Sequence, residues 1–134
     1  MTRINAGVKV TELHRRHLVA ELREITMVPA ALRRSLRTRS VDSILSTIPV
    51  SFSLNTNHVK FFYNKLSFLQ TRFGELAAEM VRRGYHPDHS RIVAFEGFPP
   101  EFYGQWTPTP ESRNIVLSRI TQRIAEKPWL YEKD

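Results

Sequence analysis

Between Val59 and Met80 the apolar side chains recur three and four residues apart: Val59, Phe62, Leu66, Leu69, Phe73, Leu76, Ala77 and Met80. An α-helix gathers that spacing onto a single face, so this stretch constrains the fold more than any other part of the chain. The pattern predicts one long helix beginning around Thr56 or Asn57. Arg82 and Arg83 suit its C-terminal end, where cations meet the negative end of the helix dipole. Gly84 follows as a natural residue for the left-handed position just beyond the helix.

Weaker signals organise the rest. Thr11 reads as the N-cap of a helix running to about Thr26, with Leu13, Leu18, Leu22 and Ile25 at helical intervals. Pro29 opens a further helical piece, Ala30 to Arg39, and the two pieces form either one kinked helix or two. Residues 40–56 read as irregular apart from a turn of helix near Asp42-Ser43-Ile44-Leu45. Residues 85–108 carry Pro, Gly and aromatic residues without a period and read as a structured loop. Thr109-Pro110-Glu111 is then an N-cap, a proline at the first helical position and an acid in the first turn. Ile115, Val116, Ile120 and Ile124 mark this last helix, which ends before Pro128. No internal repeat or second domain is visible, so residues 1–134 are read as a single domain.

Composition narrows the chemistry. With 41% hydrophobic residues the 134-residue chain can bury its own core. No run approaches the ~18 apolar residues of a membrane span, and the N-terminus lacks the apolar region of a signal peptide. The expectation is a soluble, cytoplasmic protein. The absence of cysteine excludes disulfides, thiol catalysis and cysteine-held metals. Basic charge is concentrated at the front: residues 1–39 hold nine Arg or Lys against three acids, whereas the remainder is nearly balanced. Such a block is a footprint for a polyanion, of which nucleic acid is the commonest. A lipid surface would need a bulky apolar face opposite the charges, and around residues 30–39 only Leu32 and Leu36 offer one.

Two groups inside the footprint could carry chemistry. Removal of Met1 before a small residue leaves the α-amine of Thr2. That amine titrates near 7.7–8.0, far below a lysine, so a useful fraction is neutral and nucleophilic. Crowding by Arg3 and Arg23 would lower it further. A neutral amine attacks an aldehyde-like carbon to form a Schiff base, and in DNA the matching carbon is C1′ of a deoxyribose losing its base. The second group is Glu24, which shares a helix face with His17 and Glu21 at i, i+4 and i+7. A carboxylate among arginines either neutralises one of them in a surface network or works as an acid, base or cation stabiliser. Other patterns point less far. His14-x-x-His17 and His86-x-x-His89 have metal spacing without a third ligand, so no metal or other cofactor is expected. Phe61-Phe62-Tyr63 is read as core rather than as a stacking platform. Arg33, Arg34 and Arg37 are either a solvated face or phosphate contacts.

In order along the chain, Met1-Thr2-Arg3-Ile4-Asn5, His17-Leu18-x-Ala20-Glu21-x-Arg23-Glu24, His58-Val59-x-Phe61-Phe62-Tyr63-x-Lys65-Leu66-x-Phe68-Leu69, Arg83-Gly84, Pro100-Glu101-Phe102-x-Gly104, Ile124-Ala125 and Pro128 resemble the pyrimidine-dimer DNA glycosylase/AP lyase family of the phage ultraviolet-damage endonuclease type. The resemblance implies an all-α single domain of three to four main helices, with a structured loop before the last. It implies that Thr2 attacks C1′ at the 5′ nucleotide of a cyclobutane dimer. Glu24 would support departure of the base and then proton movement during β-elimination. Arg3 and Arg23 would hold phosphates near the lesion, with His17 close by; Arg33, Arg34, Arg119 and Arg123 would grip the flanking backbone. Arg16, seven residues before Arg23 on the same face, is read as a further DNA contact from its charge and place alone. The implied partner is double-stranded DNA containing pyrimidine dimers or abasic sites, bound by a monomer.

The chain also departs from the family pattern. The segment between Asn5 and Glu12 is one residue longer, Arg16 stands where a neutral polar residue is familiar, and Met27 where an arginine is expected. The tail Trp129-Leu130-Tyr131-Glu132-Lys133-Asp134 is shorter and more acidic. Two other readings remain at this level: an AP lyase or glycosylase for another damaged base, and a basic DNA-binding module without catalysis. Glu24 argues against the module, because a carboxylate in a phosphate patch weakens binding.

Overall fold

The computed structural model describes residues 3–131. Its secondary structure is helical, with no strand among the described residues: α1 (Arg15–Glu24), α2 (Met27–Leu36), α3 (Val41–Leu45), α4 (His58–Phe61), α5 (Leu66–Arg82) and α6 (Pro110–Glu126). Short 3-10 turns at Val10–Glu12, His89–Phe95, Pro100–Phe102 and Pro128–Leu130 join them. Among the described residues no helix is long and apolar enough to cross a membrane. α5 is the central element, packed by α1, the 10–12 turn and the 89–95 turn. α2 lies against α1, α3 and α4. One continuous core joins Ile4, Leu18, Ile25, Leu32, Phe62, Leu69, Phe95 and Phe102.

The long helix expected from Thr56 to Arg83 is broken. α4 ends at Phe61, and α5 begins at Leu66. In the gap the carbonyl of Asn64 accepts from Gly104 N–H at 3.0 Å instead of from an amide in the next turn. Lys65 Nζ takes the Phe61 carbonyl and the Asn64 side chain, and its ammonium lies 3.9 Å from the centre of the Phe61 ring. Tertiary hydrogen bonds therefore replace the helical ladder across this joint. The approach depends on Gly104: a Cβ there would stand 2.3 Å from the Asn64 carbonyl oxygen. The end of α5 is as expected. Gly84 has φ +92°, Gly84 N–H bonds Val81 O at 2.9 Å, and Tyr85 N–H bonds Met80 O at 2.8 Å. These are the two bonds of a Schellman cap. Phe61, Phe62 and Tyr63 are buried, as core residues should be.

The first helix begins later than the sequence indicates. His14, not Thr11, is its N-cap, with Nδ1 accepting from Arg16 N–H. Arg83 explains the delay, because it donates to the carbonyls of Val10 and Leu13 and diverts them from an α-helical ladder. Glu79, buried beneath, accepts from Arg82 and Arg83, and these bonds, Arg82's foremost, pull its carboxyl down to about 2. The two front pieces are separate helices. The carbonyl of Ile25 would accept from residue 29, but Pro29 has no N–H, so the ladder stops there. Val28 N–H bonds Ile25 O in a tighter 3-10 turn instead. Arg91 closes the break by donating to Arg23 O at 2.9 Å and to Thr26 Oγ1 at 2.7 Å. Pro29 thus sits within the first turn of α2, two residues inside its start.

α6 opens on the expected signal. Thr109 Oγ1 accepts from Ser112 N–H while Ser112 Oγ accepts from Thr109 N–H, a capping box with Pro110 at the first helical position. Ser112 and Val116 are its buried residues, with Ile120 partly covered. Ile115, expected on the same face, is 40% exposed. Adjacent helical residues point about 100° apart, so Val116 and Ile115 cannot both face the core.

Candidate nucleic-acid cleft

The chain before α1 runs through the protein rather than over it. Ile4, Ala6 and Val8 are buried in the core, and polar contacts fix the backbone of this arm. Arg72, on the inner face of α5, donates to Val8 O at 2.8 Å and Asn5 O at 3.1 Å. Its remaining donors form a fork onto Glu21 of α1, Nε to Oε2 at 2.7 Å and Nη2 to Oε1 at 2.9 Å. Asn5 Nδ2 completes the set by donating to Glu21 Oε1 at 2.9 Å. A buried ion pair is stable only when its remaining hydrogen-bonding capacity is met, and here it is. Glu21 therefore takes no part in a surface network, one of the two readings open for the carboxylates of this face. His17, Glu21 and Glu24 share a helix face, but Glu21 is 1% exposed and is committed to Arg72.

One turn further along α1, Glu24 Oε1 accepts from the backbone N–H of Arg3 at 3.1 Å. The next amide, Ile4 N–H, donates to His58 Nε2 on α4 at 2.9 Å. An amide N–H can only donate, so Nε2 carries no proton. The proton is then on Nδ1, which lies 2.7 Å from the Ser53 carbonyl. Burial, with a smaller contribution from the Arg3 charge, brings this histidine down to about 4 against the opposing pull of the Ser53 hydrogen bond. The ring is neutral at physiological pH.

Around this arm opens a cleft of about 300 Å³. Arg3 and Asn5 form its floor; Arg16, His17, Ala20, Glu21 and Glu24 of α1 form one wall; Arg119, Ile120 and Arg123 of α6 form the other, with Leu130 and Tyr131 at the rim. Six of the residues singled out from sequence therefore meet here: Arg3, Arg16, His17, Glu24, Arg119 and Arg123. Burial, then the charges of Arg119 and Arg123, push the Arg3 guanidinium below its ordinary value, while Glu24 pulls the other way. His17 is also pushed down, first by burial and then by His14 and Arg123. Its Nδ1 is buried and unpaired among the described residues. Arg16 has a second duty, since its Nε donates to Leu130 O at 2.7 Å. That contact holds the end of the chain so that Tyr131 stacks on His17, ring centres 5.2 Å apart.

The other candidates lie elsewhere. Arg23 lines a neighbouring groove on α1 with Arg15 and Val19, which shares Arg16 and Ala20 with the cleft. Arg33 and Arg34 line a groove on α2 with Ala30, Arg37 and Ala94. Arg33 is largely committed to the fold: it donates to Ala94 O and Glu96 O and lies 4.3 Å over the Phe98 ring. Thr2 lies outside the described residues. No group of three or more His, Asp or Glu is gathered as a metal site among the described residues; His14 of the first histidine pair caps α1. Arg72 and His58 were missed as positioning residues. Arg72 left a signal, because it follows Leu69 by three and precedes Leu76 by four, a charge inside an apolar stripe. His58 left none that a helix-start residue would not also leave.

The geometry is that of a cationic cleft floored by a pinned N-terminal arm, with Glu24 in its α1 wall as a carboxylate that Arg72 does not engage. The cations suit a phosphate-bearing partner; a carboxylate among them serves proton transfer or cation stabilisation. A family model described as pyrimidine dimer DNA glycosylase matches residues 1–93. That stretch runs from the arm through α5 and contains Arg3, Arg16, His17 and Glu24, while Arg119 and Arg123 lie beyond it. With more than two thirds of its length matched and its cleft so built, the chain belongs to the pyrimidine dimer DNA glycosylase family.

Proposed function

We propose that this glycosylase is bifunctional, breaking the glycosidic bond at a cyclobutane pyrimidine dimer and then nicking the strand through a Schiff base at the α-amine of Thr2. The observation that carries the reading is the 3.1 Å bond from Arg3 N–H to Glu24 Oε1 at the floor of the arginine-lined cleft. It ties Glu24, the carboxylate of the α1 wall that Arg72 does not engage, to the peptide that follows Thr2, so acid–base group and amine serve one sugar.

In the proposed course the neutral amine forms a bond to C1′ as the C1′–base bond breaks, with Glu24 stabilising the positive charge on the sugar and the departing base taking up the proton that the newly bonded nitrogen releases. The C1′–O4′ bond then breaks as the nitrogen lone pair forms the double bond, the ring oxygen taking a proton from solvent, which gives a protonated imine. That cation withdraws electrons from C2′ and makes its proton acidic. Removal of the proton, assisted by Glu24, expels the 3′ phosphate by β-elimination. Hydrolysis of the imine returns the amine. The protonated imine is itself the electron sink, so the course calls on no metal. Arg3, Arg119 and Arg123 hold phosphates around the reacting sugar, Arg16 and His17 line the approach, and Arg23, Arg33 and Arg34 contact flanking backbone. A damaged pair costs less to unstack, which favours lesions over intact duplex.

The test is borohydride reduction during incubation with dimer-containing or abasic duplex in EDTA. The expected result is a covalent adduct with both substrates, located by mass spectrometry on residue 2. An adduct with abasic DNA alone would reassign the enzyme as an AP lyase or a glycosylase for another lesion. No adduct, or one on a lysine side chain, would refute the mechanism.

A further inference from the structure

We infer that His58 is a positioning residue for strand cleavage, holding the N-terminal arm at the depth from which the amine reaches the sugar. The inference rests on the Schiff-base reading above.

Arg3 is bracketed. Its own N–H is held by Glu24 of α1, and the next N–H, of Ile4, by His58 of α4. Two consecutive amides gripped from two different helices fix both torsions of the residue between them. The arm beyond is fixed in turn by Arg72 and Glu21 through Asn5 and Val8. His58 is itself immobilised. Its Nδ1 donates to Ser53 O, and the rings of Phe52 and Phe62 meet it edge-on at 5.4 Å and 5.3 Å. Its imidazole is not part of the cleft lining among the described residues, so its effect is exerted through the arm. A nucleophile misplaced by about 1 Å can lose about 100-fold in rate, and pre-paying the order of the arm avoids that loss.

Two substitutions separate the hydrogen bonds. In His58→Asn the amide nitrogen can replace Nδ1 toward Ser53 O, but nothing reaches Ile4 N–H. In His58→Gln the carbonyl oxygen can replace Nε2 and accept from Ile4 N–H. The measurement is the single-turnover rate constant of borohydride-trapped adduct with dimer-containing duplex, alongside the Kd of the same duplex. Partial unfolding lowers the amplitude of that reaction, not its rate constant. The expected result for His58→Asn is a rate constant lower by roughly 10- to 100-fold, with Kd within about threefold of the parent. His58→Gln should recover to within about threefold in both. An unchanged rate constant in His58→Asn, or equal losses in the two variants, would overturn the inference. If the unsubstituted protein itself forms no adduct at residue 2, the Schiff-base reading fails, and this inference with it.

Discussion

The neutral, buried histidine at position 58 makes the stability of the protein depend on pH in a calculable way. In the unfolded chain it titrates near 6.5; in the folded protein it stays neutral down to about 4. The folded state therefore binds fewer protons between those values, and stability falls as the pH falls through that window. The loss begins near 6.5, grows by about 1.4 kcal/mol per pH unit, and saturates below 4. It amounts to about 2 kcal/mol at pH 5 and about 3 kcal/mol at pH 4. Protonation also removes the acceptor of Ile4 N–H and adds a cation near Arg3, so the structural and electrostatic costs have the same sign. The assay is urea unfolding of the parent and His58→Gln at pH 7.5, 6, 5 and 4. Other groups titrate in both proteins and cancel in the difference. The advantage of the parent over the glutamine variant should shrink by the stated amounts. A difference independent of pH would refute the assignment of a neutral ring to position 58.

Four further outcomes follow from particular contacts. Glu24→Gln keeps an acceptor for Arg3 N–H, so dimer-duplex affinity should persist in a gel-shift titration while single-turnover cleavage falls by about 100-fold or more. Glu21→Gln leaves the buried Arg72 cation short of its counter-charge and should cost about 3–5 kcal/mol in urea unfolding. Gly104→Ala drives a methyl group against the Asn64 carbonyl at the joint between α4 and α5; calorimetry should show a loss of about 1–3 kcal/mol. Arg119→Gln with Arg123→Gln should reduce the slope of log affinity against log salt by about 2, because each arginine displaces one phosphate counterion.

What the sequence determined by itself was local. Gly84 can end α5 because a left-handed residue is cheap only without a Cβ, and Thr109-Pro110 can start α6 because a hydroxyl and a missing N–H suit the first turn. The apolar stripe from Leu66 to Met80 and the basic front depend on spacing and charge alone, and both were legible. Tertiary structure decided the rest. The stripe continues unbroken through Phe62, yet the helix breaks there because Gly104, forty residues away, takes the Asn64 carbonyl. His17, Glu21 and Glu24 occupy one face by periodicity, but only the arrival of Arg72 separates a buried anchor from a carboxylate in the cleft. Arg119 and Arg123 meet Arg3 across more than a hundred residues of chain. A hydrogen bond or ion pair between distant segments leaves no period in either one, so the arm's anchors could be found only where the fold brings them within hydrogen-bonding distance.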